Sequence, residues 1–312
     1  TLEDDVEMTL EANPRTISKG YLARLREIGF NRLSLGMQSA HPHELRLLGR
    51  IHDHSDVVEG VAFARAAGFD NLNLDLIHGL PGQGMERWQS TVELALGLSP
   101  DHLSIYGLTI EDGTPFGEWV RLGLLQQPDD DVAADQYEWV RCRLDQAGFR
   151  QYEISNWAAK RKGVWRECRH NLQYWRCQPY LGFGMAAHGY ACNMRVANSE
   201  SLQDYFRRIN GNDASTSVFP IGPATASIEH LQPDTMMQEY LMVGLRLTRE
   251  GVSRADFRQR FNVDMDERFG DRIARLRQRG LLEEHGEDPD RLRLTPSGAL
   301  LGNIVFREFV GE

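Results

Sequence analysis

Asn71-Leu72-Asn73-Leu74-Asp75-Leu76-Ile77-His78-Gly79-Leu80-Pro81-Gly82-Gln83 reads as a buried strand feeding a helix. Leu72, Leu74, Leu76 and Ile77 surround Asp75 with apolar side chains. A carboxylate placed in such a strand needs a partner or a ligand. Pro81 fixes φ and the flanking glycines supply the turn, so Gly79–Gln83 is expected to be a tight β-to-α connection. It is no phosphate loop, because no Gly-Lys-Ser/Thr follows.

Three further runs share this form: Thr9-Leu10-Glu11-Ala12-Asn13-Pro14, Arg32-Leu33-Ser34-Leu35-Gly36-Met37-Gln38-Ser39 and His102-Leu103-Ser104-Ile105-Tyr106-Gly107-Leu108-Thr109. Amphipathic helices separate the runs, so the chain as far as Thr109 forms successive β-α units of a parallel sheet. Chemistry in such folds sits at the carboxyl ends of the strands. Glu11, Gln38, Asp75 and Thr109 fall there. One polar residue at a strand end is as readily a helix cap or a loop contact. Three in consecutive units, Glu11, Gln38 and Asp75, converge on one mouth. Arg50, after Leu45-Arg46-Leu47-Leu48-Gly49, is a guanidinium suited to a bidentate grip on a carboxylate, although a lone helical Arg is more often solvated.

The length of 312 residues allows two domains, or one barrel-sized unit with an appendage. A net charge of −10 argues against a general binder of nucleic acid or anionic membrane. Cys142, Cys168, Cys177 and Cys192 form no CxxC pair and lack the density of a secreted disulfide scaffold, which points to a reducing cytoplasm. No apolar run approaches the length of a membrane span.

Helix ends are legible throughout the first half. Thr16 or Ser18 caps a helix over Leu22–Ile28 that Gly29 stops, and Ser55 caps a second that ends at Gly68. A longer helix near Asp131–Ala147 ends at Gly148. Gly-Phe follows each of these three helices and leads into a strand. From Asp112 the rhythm changes. Residues 150–200 carry Tyr152, Trp157, Trp165, Tyr174, Trp175, Tyr180, Phe183 and Tyr190, and are expected to be strands and tight loops. Asn210–Thr216 resembles a surface loop. From Gln232 onward the chain reads as three helices, a short hairpin including Leu292–Thr295, and a final helix, which is a winged-helix pattern. Residues 232–312 hold 15 acidic and 13 basic side chains, so the wing is expected to pack or dock a partner rather than read DNA.

His170-Asn171-Leu172-Gln173-Tyr174-Trp175 admits two readings: a packed loop corner, or a ligand site. Imidazole is a common axial ligand of heme iron, and Tyr and Trp offer flat apolar area for a porphyrin. Cys168 is a thiolate neighbour or, more simply, a buried inert cysteine; Cys177 is similar, with less support. Leu181-Gly182-Phe183-Gly184-Met185-Ala186-Ala187-His188-Gly189 places small residues where backbones approach closely. His188 there is either a second ligand contact or a hydrogen-bonded core histidine.

Together, Leu10–Pro14, Asn31–Ser39, Leu47–Arg50 and Asn73–Gln83 resemble successive units of the radical S-adenosylmethionine barrel, in the branch that holds oxygen-independent coproporphyrinogen III oxidase and the heme chaperones. The resemblance covers nearly the whole chain. It implies a partial (βα) barrel of about four of six units at residues 1–115, a barrel-completing and heme-motif region at 116–231, and a winged-helix-like domain at 232–312. It implies S-adenosyl-L-methionine contacts at Glu11, Gln38, Arg50 and Asp75. Thr109 and His188 occupy two further contact positions, where the oxidase pattern has other residue types. The hexamer matches the HNxxYW motif of the heme chaperones, which implies heme contacts at His170, Asn171, Tyr174 and Trp175, with Cys168 beside them and His170 on the iron. The implied function is heme delivery to an acceptor hemoprotein or respiratory-chain protein, with membrane association only through that acceptor and an oligomer left open. The alternative is the oxidase, which decarboxylates two propionates of coproporphyrinogen III. A winged-helix DNA binder is a distant third.

The superfamily holds a [4Fe–4S] cluster on a CxxxCxxC loop. Cys142, Cys168, Cys177 and Cys192 stand too far apart in the chain to supply it. The sequence opens with Thr1 at what reads as the third strand of six, so the cluster ligands are expected upstream of residue 1, the alternative being a homologue that has dropped its cluster, and the first strand is expected to leave an open sheet edge.

Overall fold

Four parallel strands lie in chain order in one sheet of the computed structural model: β1 Thr9–Ala12, β2 Arg32–Gln38, β3 Leu72–His78 and β4 His102–Gly107. The structure describes residues 3, 5–211 and 218–310. Helices α1 Lys19–Ile28, α2 Pro42–Leu47, α3 His54–Ala66 and α4 Met85–Gly97 make the crossovers. Alternation along each strand separates two faces. Leu33, Leu35, Met37, Leu72, Leu74, Leu76, Leu103 and Ile105 are buried on the face that carries the helices, where Leu22, Val57, Trp88 and Val92 are also buried. Each such side chain contributes about 1.5–3 kcal/mol of burial. Gly60 of α3 packs so that a Cβ there would stand 3.3 Å from Ile17 and in ordinary contact with Leu35.

The helix ends obey the capping rules, with one correction. Ser18 accepts from the Tyr21 amide, and Gly29 closes α1 at φ +117°. The cap of α3 is Asp53, not Ser55. Asp53 and Asp56 form a reciprocal capping box, and Ser55 donates to Asp53 from inside the helix. The aspartate wins because its carboxylate accepts from both partners at once. After β4 come α5 Pro115–Arg121 and α6 Asp130–Gln146, the latter capped by Asp129 and closed at Gly148, φ +81°. The chain then adds a hairpin, β5 Phe149–Glu153 and β6 Asn156–Arg161, whose second strand is antiparallel to β4. The strand order is β1-β2-β3-β4-β6-β5, with β7 Val164–Trp165 beside β6. Four parallel β-α units therefore form, as expected, and β1 is an edge strand among the described residues.

A second unit begins at Cys168; the first is Thr1–Glu167. This boundary differs from the sequence divisions at 115 and 231. The second unit opens with α7 Arg169–Trp175, so the hexamer expected at a loop corner is a helix. A three-stranded antiparallel sheet follows, β8 His188–Ala191, β9 Met194–Asn198 and β10 Thr225–His230, with α8 Leu202–Gly211 before β10. The loop expected at Asn210–Thr216 falls mostly at 212–217, outside the described residues. The rest is the expected winged helix: α9 Pro233–Gly244, β11 Val252–Ser253, α10 Arg254–Phe261, α11 Met265–Gln278, β12 Leu282–His285 and β13 Asp288–Leu294, then α12 Pro296–Leu300 and α13 Gly302–Arg307. Phe257, Phe269 and Phe309 fill its core. Gly298 is needed in the first turn of α12, because a Cβ there would run into the Leu281 carbonyl oxygen.

Candidate functional site

The face of the sheet opposite the helices is polar. Registers Glu11↔Ser34, Ser34↔Asn73 and Asn73↔His102 set one row of polar residues across β1 to β4, and Asp75↔Ser104 begins the next row on the same face. Asp75 is thus not enclosed by its leucine neighbours, which point the other way. Its Oδ2 accepts from Ser34 Oγ at 3.0 Å, and its Oδ1 accepts from Asn73 Nδ2 at 2.7 Å. Burial pushes the Asp75 carboxyl up, hydrogen bonds from Asn73, Ser34 and Ser104 pull it back, and Glu11 adds like-charge repulsion. Tyr106, two residues past Ser104 on β4, has its phenol pushed up to about 12 by burial and then by Asp75.

Glu11 acts on this carboxylate by its charge, while Gln38 lies over Gly36 and Arg50 reaches Asn13. Gln38 ends β2 at φ +62°, which folds its amide back over Gly36; a Cβ on Gly36 would lie 2.8 Å from Gln38 Nε2 and 3.8 Å from Asn13 Oδ1. Arg50 Nη1 donates to that same Asn13 oxygen at 2.6 Å. Glu11, exposed on β1, is paired in register with Ser34. Thr109 lies exposed beyond the end of β4. His188 belongs to the second unit and starts β8; it is exposed, which removes the core-histidine reading. The sequence reading missed Asn13, Ser34, Asn73, His102 and Ser104. Their period-two spacing, in step with Glu11 and Asp75, was the available signal.

Gly79–Gln83 is the tight turn the sequence implied, with Gly79 and Gly82 both at φ +70°. Gln136 Oε1 accepts the Gly79 amide at 2.8 Å, and Gln136 Nε2 donates to the Gln83 carbonyl at 2.9 Å. Gln83 in turn donates to the buried Glu44, which Ser39 and Arg87 also satisfy. The turn is a scaffold part. His52 is buried, with Nε2 3.1 Å from the Met37 carbonyl oxygen.

In the second unit, helical spacing puts His170 and Tyr174 on one face of α7, their rings edge-to-face with centroids 4.8 Å apart. Tyr174 meets Tyr180 at 4.4 Å, and Tyr180 meets Tyr190 at 6.4 Å. Asn171 and Trp175 occupy the neighbouring face. The Trp175 indole packs against the Arg246 guanidinium at 4.4 Å, with Nε1 buried and lacking a hydrogen-bond partner. Cys168 is buried at the N-cap of α7. The tyrosines line a cavity of about 430 Å³ whose other walls include Cys177, Arg195, Met236 and Arg260. Burial pushes the Cys177 thiol up to about 11, so at neutral pH it is a thiol. Gly182 permits the close approach foreseen for its segment: a Cβ there would sit 2.2 Å from the His188 carbonyl oxygen.

The Radical SAM superfamily pattern matches residues 2–95, and the HemN C-terminal domain pattern matches residues 231–301. The heme chaperone HemW of Bacillus subtilis is 35% identical over 306 residues, covering 98% of this chain and 76% of that protein. The chain belongs to the HemW family. A second HemW, from Mycobacterium tuberculosis, is 38% identical over 310 residues, covering 99% of this chain and 73% of that one. The solved structure of coproporphyrinogen III oxidase (HemN) from Escherichia coli, described as a radical SAM enzyme, matches with a TM-score of 0.78 at 22% identity, over 98% of this chain and 70% of that one. That likeness shows the shared fold. The two patterns fall on the two ends of the chain, the first on the parallel β-α units and the second on the winged helix.

Proposed function

We propose that this chain is a heme chaperone, binding heme through α7 and passing it to an acceptor protein. The observation that carries this reading is the placement of His170 and Tyr174 on one helical face, in a chain of the HemW family. His170 is exposed, as an iron ligand must be to receive heme from solution or a donor. Tyr174 offers ring area beside it, Asn171 sits one residue on, and Cys168 is the nearby thiol. The arginines of α11 support a docking role for the winged helix rather than a nucleic-acid one. Arg268 pairs with Asp234 at 3.3 Å, Arg277 with Glu284 at 3.0 Å, and Arg275 with Glu308 at 3.5 Å. No described helix is long and apolar enough to cross a membrane.

The polar mouth of the first unit suits S-adenosylmethionine, whose ammonium and ribose hydroxyls are donors. Glu11 and Asp75 present acceptors, Arg50 suits the ligand carboxylate, and the missing Cβ at Gly36 leaves a cradle beside Gln38. Thr109 is the weaker member of this set. The cofactor, when bound on a reduced cluster, supplies a carbon radical. The cysteines present do not fit a cluster: Cys142 and Cys192 are exposed, Cys168 and Cys177 belong to different surroundings, and no described group of three His, Cys, Asp or Glu is placed to hold a metal ion. No radical step is derived from these residues.

Heme titration followed by the Soret band tests the proposal. His170→Ala is expected to shift or abolish the band, while Tyr174→Ala lowers affinity and leaves the ligand spectrum in place. An unchanged spectrum and affinity in His170→Ala would move the ligand role to Cys168 or His188. Transfer to an apo-acceptor, followed by the acceptor's own absorbance, tests the chaperone role; steady oxidation of coproporphyrinogen III would instead favour the oxidase.

A further inference from the structure

A line of hydrogen bonds runs across the polar face of the first unit and ends on Asp75. Tyr152 OH stands 2.9 Å from His102 Nε2. His102 Nδ1 stands 2.7 Å from Asn73 Oδ1. Asn73 Nδ2 donates to Asp75 Oδ1 at 2.7 Å and to Ser34 Oγ at 2.8 Å, and Ser34 passes its own proton to Asp75 Oδ2 at 3.0 Å. Ser104 Oγ donates to Asn73 Oδ1 at 3.2 Å. Asn73, His102 and Tyr152 are all buried, and three strands contribute them: β3, β4 and β5.

With His102 neutral, one arrangement of protons satisfies this line. A carboxylate accepts and cannot donate, so the Asn73 amide must turn its nitrogen to Asp75 and its oxygen to His102. An amide oxygen accepts, so His102 must carry its proton on Nδ1. Nε2 is then an acceptor, and the Tyr152 hydroxyl must donate to it. The neutral state this requires of His102 agrees with its surroundings, since burial and the nearby Arg32 both hold its pKa well below the usual histidine value. Every donor in the line therefore points toward Asp75, and bonds aligned this way polarise one another.

We infer that Tyr152, His102 and Asn73 are positioning residues that fix the Asp75 carboxylate as an acceptor toward the mouth of the sheet. They come from distant parts of the chain, and of the three Asn73 bonds Asp75 directly. Asn73 takes one lone pair on Oδ1, Ser34 one on Oδ2, and Ser104 also bears on the carboxylate, which leaves what remains of its acceptor capacity for a ligand that donates. Such a site selects a hydroxyl- or ammonium-bearing group and rejects one that brings only acceptors. This inference rests on Asp75 as a contact for S-adenosylmethionine, and extends it to a support chain reaching β5.

Nitrogen NMR of the ligand-free protein tests the proton arrangement directly. His102 is expected as the neutral Nδ1–H tautomer at pH 7; the Nε2–H tautomer, or a charged ring, would overturn the support chain whatever Asp75 binds. Calorimetry with S-adenosylmethionine then separates the two readings. Asp75→Asn is expected to weaken binding by about tenfold or more; if it does not, the Asp75 assignment fails, while the tautomer result still judges the chain of bonds. His102→Leu is expected to weaken binding by about tenfold, and His102→Asn, which keeps a donor at the Nδ1 position, to recover most of it. Equal losses in both His102 variants, with circular dichroism unchanged, would reduce His102 to a packing residue and overturn the inference. Tyr152→Phe deletes one hydroxyl without changing shape; an unaltered His102 Nε2 shift in that variant would overturn the outermost link.

Discussion

The polar face of the first unit and the aromatic face of the second solve opposite problems. Asp75 is held by Ser34 and Asn73, and Asn73 by His102 and Ser104, all across strands whose register is fixed by the sheet. His170, Tyr174, Tyr180 and Tyr190 meet through tilted or edge-to-face rings, on one short helix and the segments after it. A directional network tolerates no missing member, because each buried group left unpaired costs about 1–3 kcal/mol. Ring contacts are worth about 0.5–1.5 kcal/mol each and tolerate displacement. The first arrangement suits a cofactor bound in one pose. The second suits a flat cargo that must also leave.

The widest gap between the two regions is in their response to pH. His78, buried between Trp88 and Tyr137, has its pKa lowered to about 4 by burial. Its unfolded value is near 6.5, so the unfolded chain takes up the proton first as the pH falls. Stability of the first unit is therefore full above pH 6.5 and drains away toward pH 4, by about 3 kcal/mol from His78. Hydrogen exchange of β3 and β4 amides across this range checks it. His78→Phe should flatten the slope, and an unchanged slope would leave the two units without this contrast.

Cys177 gives the second unit the mirror-image behaviour with a smaller amplitude. Its thiol is raised from 9.0 to about 11 by burial, so the unfolded chain loses the proton first as the pH rises. Stability is full below pH 9 and falls toward pH 11, by about 1–2 kcal/mol after allowing for the partial exposure of the side chain. Exchange of α9 amides should report the loss, and Cys177→Ala should remove it while the acid response of the first unit persists. The smallest effect is local to the first unit. Asp53→Ala should cost about 1 kcal/mol by removing both arms of the α3 capping box, whereas Ser55→Ala should cost only a few tenths. Equal losses in urea melts would return the cap to Ser55.

The site was legible to different depths in the two regions. Glu11, Gln38 and Asp75 could be placed on one mouth because strand ends are periodic and their polar residues interrupt apolar runs. Asn73 and His102 stood in plain view at period-two spacing, yet which face they shared with Asp75 depended on register. HNxxYW could be recognised as a motif, but its separation into a His170–Tyr174 face and an Asn171–Trp175 face required knowing that the hexamer is helical.

Alternation, capping and backbone preference were enough to set the β-α rhythm, the stops at Gly29, Gly68 and Gly148, the tight turn after β3, and the winged-helix order that follows Gln232. Each of these acts over a few residues, so each can be read along the chain. Long-range packing had to settle that Asp53 outcompetes Ser55, that Trp175 packs on Arg246, and that Asp75 stands at the end of a line from Tyr152. Those outcomes depend on which distant groups compete for the same hydrogen bond or the same surface. Strand pairing resolves that competition, and it brings Tyr152, His102 and Asn73 to within hydrogen-bond distance across three strands.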